Sequence, residues 1–248
     1  MLRGIYTAAS GLNMQQTQMD VVANNIANLS TTGFKLDRVG VGSFPSILLV
    51  RLEAGEQAEP IGTTCYGTLA ETVTTDFRDG PLQNTGVLSD VALIGEGFLV
   101  VETTDGERYF RGGTLYINGD GFLATASGDR VLGENGPIAM ETGYFRIAED
   151  GTITVEGNTV DKLLLVEFED KSGLVKEGQN YFRSDSAGPV ASSGTVVRQG
   201  FLEGSNVQLA DEMARLIEGL RAYQLSQRSF RAHDEILGKA VNQVGKVR

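Results

Sequence analysis

Tryptophan is absent from this chain of 248 residues, and cysteine and histidine each occur once, as Cys65 and His233. A lone thiol cannot close an internal disulfide, and one Cys with one His cannot furnish a zinc cage. A hydrolase-type triad is equally short of parts, because the one imidazole lies in a C-terminal helical pattern. Hydrophobic runs are also missing. The longest aliphatic stretches, such as Ile47 to Val50, fall far below the ~20 residues that cross a bilayer. No secretory signal is visible, since Met1-Leu2-Arg3 leads into a pattern rich in Gln and Asn without an apolar core. Taken alone, this points to the cytoplasm, unless export needs no cleaved signal. Basic residues are outnumbered, for a net charge of −11, so neither nucleic acid nor an anionic membrane is an expected partner. Proline is scarce at 5 residues against 32 glycines, a mixture suited to many tight turns.

What is present describes an ordinary soluble protein able to bury a core, with 41% apolar and 21% charged residues and room for one or two domains. The charge is unevenly placed. Residues 1–38 carry 3 basic and 2 acidic side chains, residues 205–248 carry 7 and 5, and the middle holds 11 against 25. Nearly balanced ends around an acidic middle fit ends that pack together and a middle that faces water.

The two ends share one periodicity. An apolar seam at 4,3 spacing runs through Leu209, Met213, Leu216, Leu220, Tyr223, Phe230, Leu237, Val241 and Val244, broken by Gln227 and Asp234. The N-terminal end repeats it at Ile5, Ala9, Leu12, Met19, Ala23 and Ile26, broken by Gln16. A repeat of about 3.5 residues is what two helices need to wrap around each other. The pattern predicts an N-terminal helix over 2–29, stopped by Thr31-Thr32-Gly33, and a longer helix over 206–245. Ser205 and Gln208 have the spacing of a capping box for the second. Between them, Asp105-Gly106, Asn118-Gly119, Asp120-Gly121, Asn135-Gly136 and Asp150-Gly151 favour hairpin turns. They separate alternating runs such as Phe145/Ile147, Ile153/Val155 and Leu164/Val166/Phe168. Turns this close leave little room for crossover helices, so the sheet is expected to be mainly antiparallel. The fold class is α+β, with terminal helices pairing as a coiled coil around a central β domain. The expected parts are an N-terminal helix (1–33), an extended linker arm (34–70), the β domain (71–204) and a C-terminal helix (205–248).

Catalytic motifs are missing. There is no G-x-S-x-G elbow, P-loop or G-x-G-x-x-G fingerprint. Asn118 to Gly121 resembles the opening of a calcium loop, but Phe122 would occupy the fifth ligand position, so a hairpin turn is the better reading. Carboxylate pairs such as Glu167/Glu169 and Glu149/Asp150 could serve glycoside hydrolysis, though in so acidic a middle they read as solvated surface. Cys65 has no cation beside it in sequence and reads as inert; His233 reads as a surface or interface residue. No catalytic, cofactor or metal residue is assigned.

Three collinear blocks carry a resemblance. Tyr6-Thr-Ala-Ala-Ser-Gly-Leu12, Asp20 through Asn28 and Thr31-Thr-Gly-Phe-Lys35 resemble the N-terminal signature of bacterial flagellar rod and hook proteins. Leu202-Glu-Gly-Ser-Asn-Val207 and Arg221-Ala-Tyr223, then Asp234 and Leu237, resemble the C-terminal one. Asp90 through Phe98, Tyr109-Phe-Arg-Gly-Gly113 and Asn118 through Gly128 resemble the β domain of the rod proteins. Phe110, Gly112 and Leu115 depart from that pattern, where Thr, Asp and Phe are common. A single modest β domain favours a rod protein, proximal or distal, over a full hook protein.

The resemblance implies a structural subunit of the flagellar basal body in the cell envelope, exported through the type III channel without a cleaved signal. Such subunits assemble helically into a tubular drive shaft. The implied partners are copies of the chain, other rod and hook subunits, the export apparatus and surrounding ring proteins, with no cofactor. Candidate interface residues are Ile5, Leu12, Met19, Asn24, Asn25, Ile26, Asn28, Leu209, Met213, Leu216, Leu220, Tyr223, Phe230, Leu237 and Val241. Asn24 and Asn28 share a helix face and, with Asn25, could hydrogen-bond a neighbouring subunit, or could only mark a fraying end. The alternatives are a secreted β-rich hydrolase using carboxylates, and a capping scaffold of the rod or hook.

Overall fold

The computed structural model describes residues 2–51, 59–140, 144–185, 188–192 and 194–244. It divides into two compact units, one of residues 1–27, 37–74 and 208–248, the other of residues 28–36 and 75–207. Residues 28–36 thus belong with the β-rich unit, whereas most of the expected linker arm belongs with the helices.

The helical unit holds α1 (Leu2–Ala27) and α2 (Leu209–Lys239), followed by a short π turn at Ala240–Val244. Their 26 and 31 residues correspond to lengths of about 39 and 46 Å. The helices pack against each other. α2 starts three residues later than the sequence suggests, and the expected capping box does not form. Gln208 occupies the N-cap without a side-chain bond, and Ser205 Oγ accepts from the Val207 amide at 3.3 Å instead. The cause lies in residues 205–207. Val207 is buried with Phe34 and Leu36. The Asn206 side chain is taken by the Leu36 amide and by the carbonyls of Asp76 and Arg78. A chain tied this way cannot yet turn helical.

Within residues 37–74, strands Ile47–Arg51 and Glu59–Thr64 form an antiparallel hairpin, and the strands outside it, Leu36–Ser43 and Thr68–Asp76, pair with each other. The hairpin carries Ile47, Leu48, Val50 and Ile61 exposed. Residues 52–58 of the expected arm lie outside the described residues.

The β-rich unit is dominated by a 12-stranded sheet, every pairing of which is antiparallel. Strand Phe98–Thr103 lies at its centre, beside Gly106–Phe110, Arg130–Gly133 and Leu165–Glu167. Its alternate residues feed two cores. Leu99 and Val101 join the larger, with Leu115, Leu123, Ile153 and Leu163. Phe98 and Val100 join an aromatic one with Tyr109, Phe168 and Phe182. Burial on both faces explains why this stretch is continuously apolar rather than alternating. Phe145, Ile147, Ile153 and Val155 point into the larger core and Val166 and Phe168 into the smaller one. The Asp-Gly and Asn-Gly pairs sit at hairpin turns, with Gly106 and Gly151 at φ of 107° and 87°. At Asn118 the side-chain Oδ1 accepts from the amides of Asp120 and Phe122, a self-closed turn. The unusual Phe110 lies 5.6 Å from the Tyr181 ring and covers Gly113, where a β-carbon would come within 2.9 Å of that Phe110 ring.

Candidate functional site

The candidate site is the surface of the paired helices. Two lines of α1 and α2 meet in an antiparallel sense. A β-carbon at Gly4 would come within 2.7 Å of the His233 ring, one at Gly11 within 3.9 Å of Ser226 Oγ, and one at Gly219 within 3.1 Å of Met19 Cγ. Asn25 Nδ2 donates to Glu212 Oε2 at 3.2 Å. From Gly11–Ser226 to Asn25–Glu212 the pairs move two heptads up one helix and two down the other.

Small residues on one helix thus face larger ones on the other, which lets the backbones approach closely. The second line consists of the predicted seam residues Ile5, Leu12, Met19 and Ile26 on α1 and Leu216, Tyr223, Phe230 and Leu237 on α2, all half-buried.

The predicted 4,3 seam of α2 divides into two rows with seven-residue spacing, of which the row from Leu216 to Leu237 is half-buried while its first member, Leu209, is exposed. The other is displaced by one residue, onto Gly219, Ser226 and His233 rather than Leu220, Gln227 and Asp234. Ala9 and Ala23 are exposed, as are Gln16 and Asp234, while Gln227 is half-buried. Leu209, Met213, Leu220 and Val241 are left outward, at 39%, 49%, 44% and 73% exposure, joined by Ile217 at 52%. The side chain of Val244 lies outside the described residues.

The asparagines separate in the same way. Asn24 is exposed and Asn28 half-buried, its Oδ1 accepting from Thr31 Oγ1 at 3.2 Å. Asn25 is 1% exposed and turned inward. Its Nδ2 also donates to the Asp37 carbonyl at 2.9 Å, and its Oδ1 accepts from the Asp37 amide at 3.1 Å. One amide side chain thus pairs with a backbone as a neighbouring strand would, and holds a buried carboxylate as well. Glu212 gains a second, longer contact from Arg215 Nε at 3.6 Å.

Inside the β-rich unit, two of the signature blocks meet. Gly33 donates its amide to the Glu203 carbonyl at 2.8 Å, and Lys35 Nζ lies 2.7 Å from Glu203 Oε1. Phe34 and Val207 share a small apolar cluster. Nothing in the apolar periodicity pointed to this site. Its signal was the unlikely presence of Lys and Glu in short motifs full of Gly, Ser and Thr. Among the described residues no group of three or more His, Cys, Asp or Glu is placed to hold a metal ion, and no helix is long and apolar enough to cross a membrane. Cys65 is exposed as a free thiol.

Known protein families match the chain in the same three places. The family described as flagella basal body rod protein matches residues 5–35. The flagellar hook protein FlgE/F/G D1 domain matches 92–155, and the flagellar basal body rod FlgEFG protein C-terminal family matches 198–243. The flagellar basal-body rod protein FlgG of Bacillus subtilis (strain 168) is 34% identical, over 98% of this chain and 99% of the relative. FlgF of Caulobacter vibrioides is 34% identical, over 96% and 97%. The flagellar hook-basal body complex protein FlhO of B. subtilis is 30% identical over the full length of both. With likeness at this level from end to end, the chain belongs to the FlgF/FlgG-like flagellar basal-body rod protein family and is a structural subunit of that axial family.

Proposed function

We propose that this chain assembles helically, copy upon copy and against related rod and hook subunits, into a tubular shaft that carries torque from motor to hook. The observation behind this is the split of the apolar residues of α2 into a half-buried line and a line left facing outward. A chain that used every apolar side chain in its own helix pair would have no strip to offer a neighbour. Leu209, Met213, Ile217 and Leu220 follow one another along about three turns of α2, exposed by 39–52%. Covering each of them contributes about 1 kcal/mol, half the value for a fully buried aliphatic side chain. Long helices in lengthwise contact resist twist, because sliding strips many such contacts at once.

In this reading the half-buried line from Ile5 to Ile26 and from Leu216 to Leu237 keeps the helix pair closed, while the outward line and Asn24 meet the next subunit. The same reading includes location in the basal body, passage through the type III export apparatus and contact with surrounding ring proteins, and the likeness to rod proteins supports it. The test is Met213→Glu combined with Leu220→Glu. The monomer's thermal unfolding is expected to stay within about 0.5 kcal/mol of wild type, while sedimentable polymer disappears. Polymer formation at the wild-type concentration would refute the proposal.

A further inference from the structure

Glu203 is 3% exposed and lies beside two buried cations. Its Oε1 accepts from Lys35 Nζ at 2.7 Å and from the Gly80 amide at 2.9 Å. Its Oε2 stands 3.6 Å from Arg111 Nε, and neither of these two atoms has a hydrogen-bond partner among the described residues. Among the described residues, Lys35 is 1% exposed and otherwise donates to the carbonyls of Phe77 and Arg78, at 3.4 and 2.9 Å. Arg111 is better supplied, giving Nη1 to the carbonyls of Gly95 and Gly97 and Nη2 to Asp79, each at 2.7 Å. Burial pushes the Lys35 ammonium pKa below its usual range, the Arg111 charge adds to this, and Glu203 opposes it.

Loss of the carboxylate would leave Lys35 charged and buried with only carbonyl partners, a costly state. The two cations differ in how they can escape. Arg111 lies between the strands Gly106–Phe110 and Gly112–Ile117 of the main sheet. Lys35 lies in residues 28–36, a segment with no strand before Leu36. Besides Lys35, that segment is held by burial of Phe34 and Leu36 with Val207, the Gly33 amide on the Glu203 carbonyl, the Leu36 amide on Asn206 Oδ1 at 2.7 Å, and Asn180 and Lys176 on the Thr32 and Lys35 carbonyls.

We propose that Glu203 is a latch: its carboxylate holds residues 28–36 on the β-rich unit, and neutralising it frees that segment while the sheet stays folded. The chain runs from residues 28–36 into α1 and from residues 204–208 into α2, so one carboxylate ties the β-rich unit's two connections together. The use of such a tie in a torque-carrying shaft rests on the axial reading. The latch itself is read on the monomer, so its failure leaves the assembly test untouched, and the reverse holds too.

The experiment is native-state amide hydrogen exchange on full-length Glu203→Gln. Gly33 and Leu36 are expected to exchange at least tenfold faster than in wild type, with Val101 in the central strand unchanged. Adding Lys35→Met, which removes the stranded charge, is expected to bring Gly33 and Leu36 back to within threefold of wild type. Unchanged protection at Gly33 and Leu36, an equal loss at Val101, or no recovery in the double variant would each overturn the latch. If Glu203→Gln alone does not fold, the double variant must fold with Gly33 and Leu36 protected, or the proposal fails.

Discussion

Asn25→Leu removes one side chain that serves three groups. The Asp37 amide and carbonyl lose their partner, and Glu212 Oε2 loses a donor at 3.2 Å inside the helix pair. An unsatisfied buried polar group costs ~1–3 kcal/mol, more for a charged one, and the added Leu returns only part through its apolar surface. Asp37 is half-buried and can draw in water, and Glu212 keeps Arg215 at 3.6 Å, which places the net loss at about 3–5 kcal/mol. The assay is a urea titration followed by circular dichroism at a helix-sensitive wavelength, because α1 and α2 hold most of the helix. With a slope of ~2 kcal/mol per molar, the helix transition should move down by roughly 1.5–2.5 M. The partner variant carries the logic further. Glu212→Leu placed on Asn25→Leu removes the stranded carboxylate and should recover about half the loss, since Arg215 is partly in water. Gln16→Ala, at an exposed position of α1, should change stability by less than about 0.5 kcal/mol. If Asn25→Leu stays within 0.5 kcal/mol of wild type, or if adding Glu212→Leu deepens the loss, the assignment of Asn25 as an internal clamp is wrong.

Two glycines of α2 should respond in opposite directions. Gly219→Val pushes into Met19 and Gln15 and is expected to cost about 1–3 kcal/mol of helix-pair stability. Gly238→Ala meets nothing within 4 Å and should gain about 0.5–1 kcal/mol through helix propensity; parallel thermal melts read both. Alkaline pH tests Lys35, whose ammonium pKa burial lowers from 10.5. Between the lowered folded value and 10.5 the unfolded chain binds more protons than the folded one, so Lys35 adds stability as pH rises through this window. Lys35→Met should remove that increment, seen as a flatter profile of unfolding free energy against alkaline pH for the variant than for wild type. Parallel profiles would refute it.

The sequence made the helices and turns visible because both follow local rules. The line from Ile5 to Ile26 and its counterpart from Leu216 to Leu237 were legible from apolar spacing alone. The companion line was not, because close helix packing selects small residues there, and a scan for large apolar side chains steps past Gly11, Gly219 and Ser226 to the outward Leu220. The capping box misled for a different reason. Ser205 and Gln208 have the right spacing, but burial of Val207 with Phe34 and Leu36 postpones the helix, and no local rule registers that. The hairpin within residues 37–74 lacks an Asn-Gly or Asp-Gly signal among its described residues and carries Pro60 in its second strand. The charged cluster was the least legible part. Lys35 and Glu203 are 168 residues apart, and each read singly looks like surface.

The antiparallel pairing of α1 and α2 admits only one alignment. Sliding one helix by a heptad would still seat Gly11 beneath His233, but it would bring Asn25 to Gly219 and strand Glu212 with no amide opposite. Sliding the other way would oppose Gly11 with Gly219 and open a void. The helix pair therefore carries its own vernier, in which the apolar residues supply attraction and one amide–carboxylate contact decides the notch.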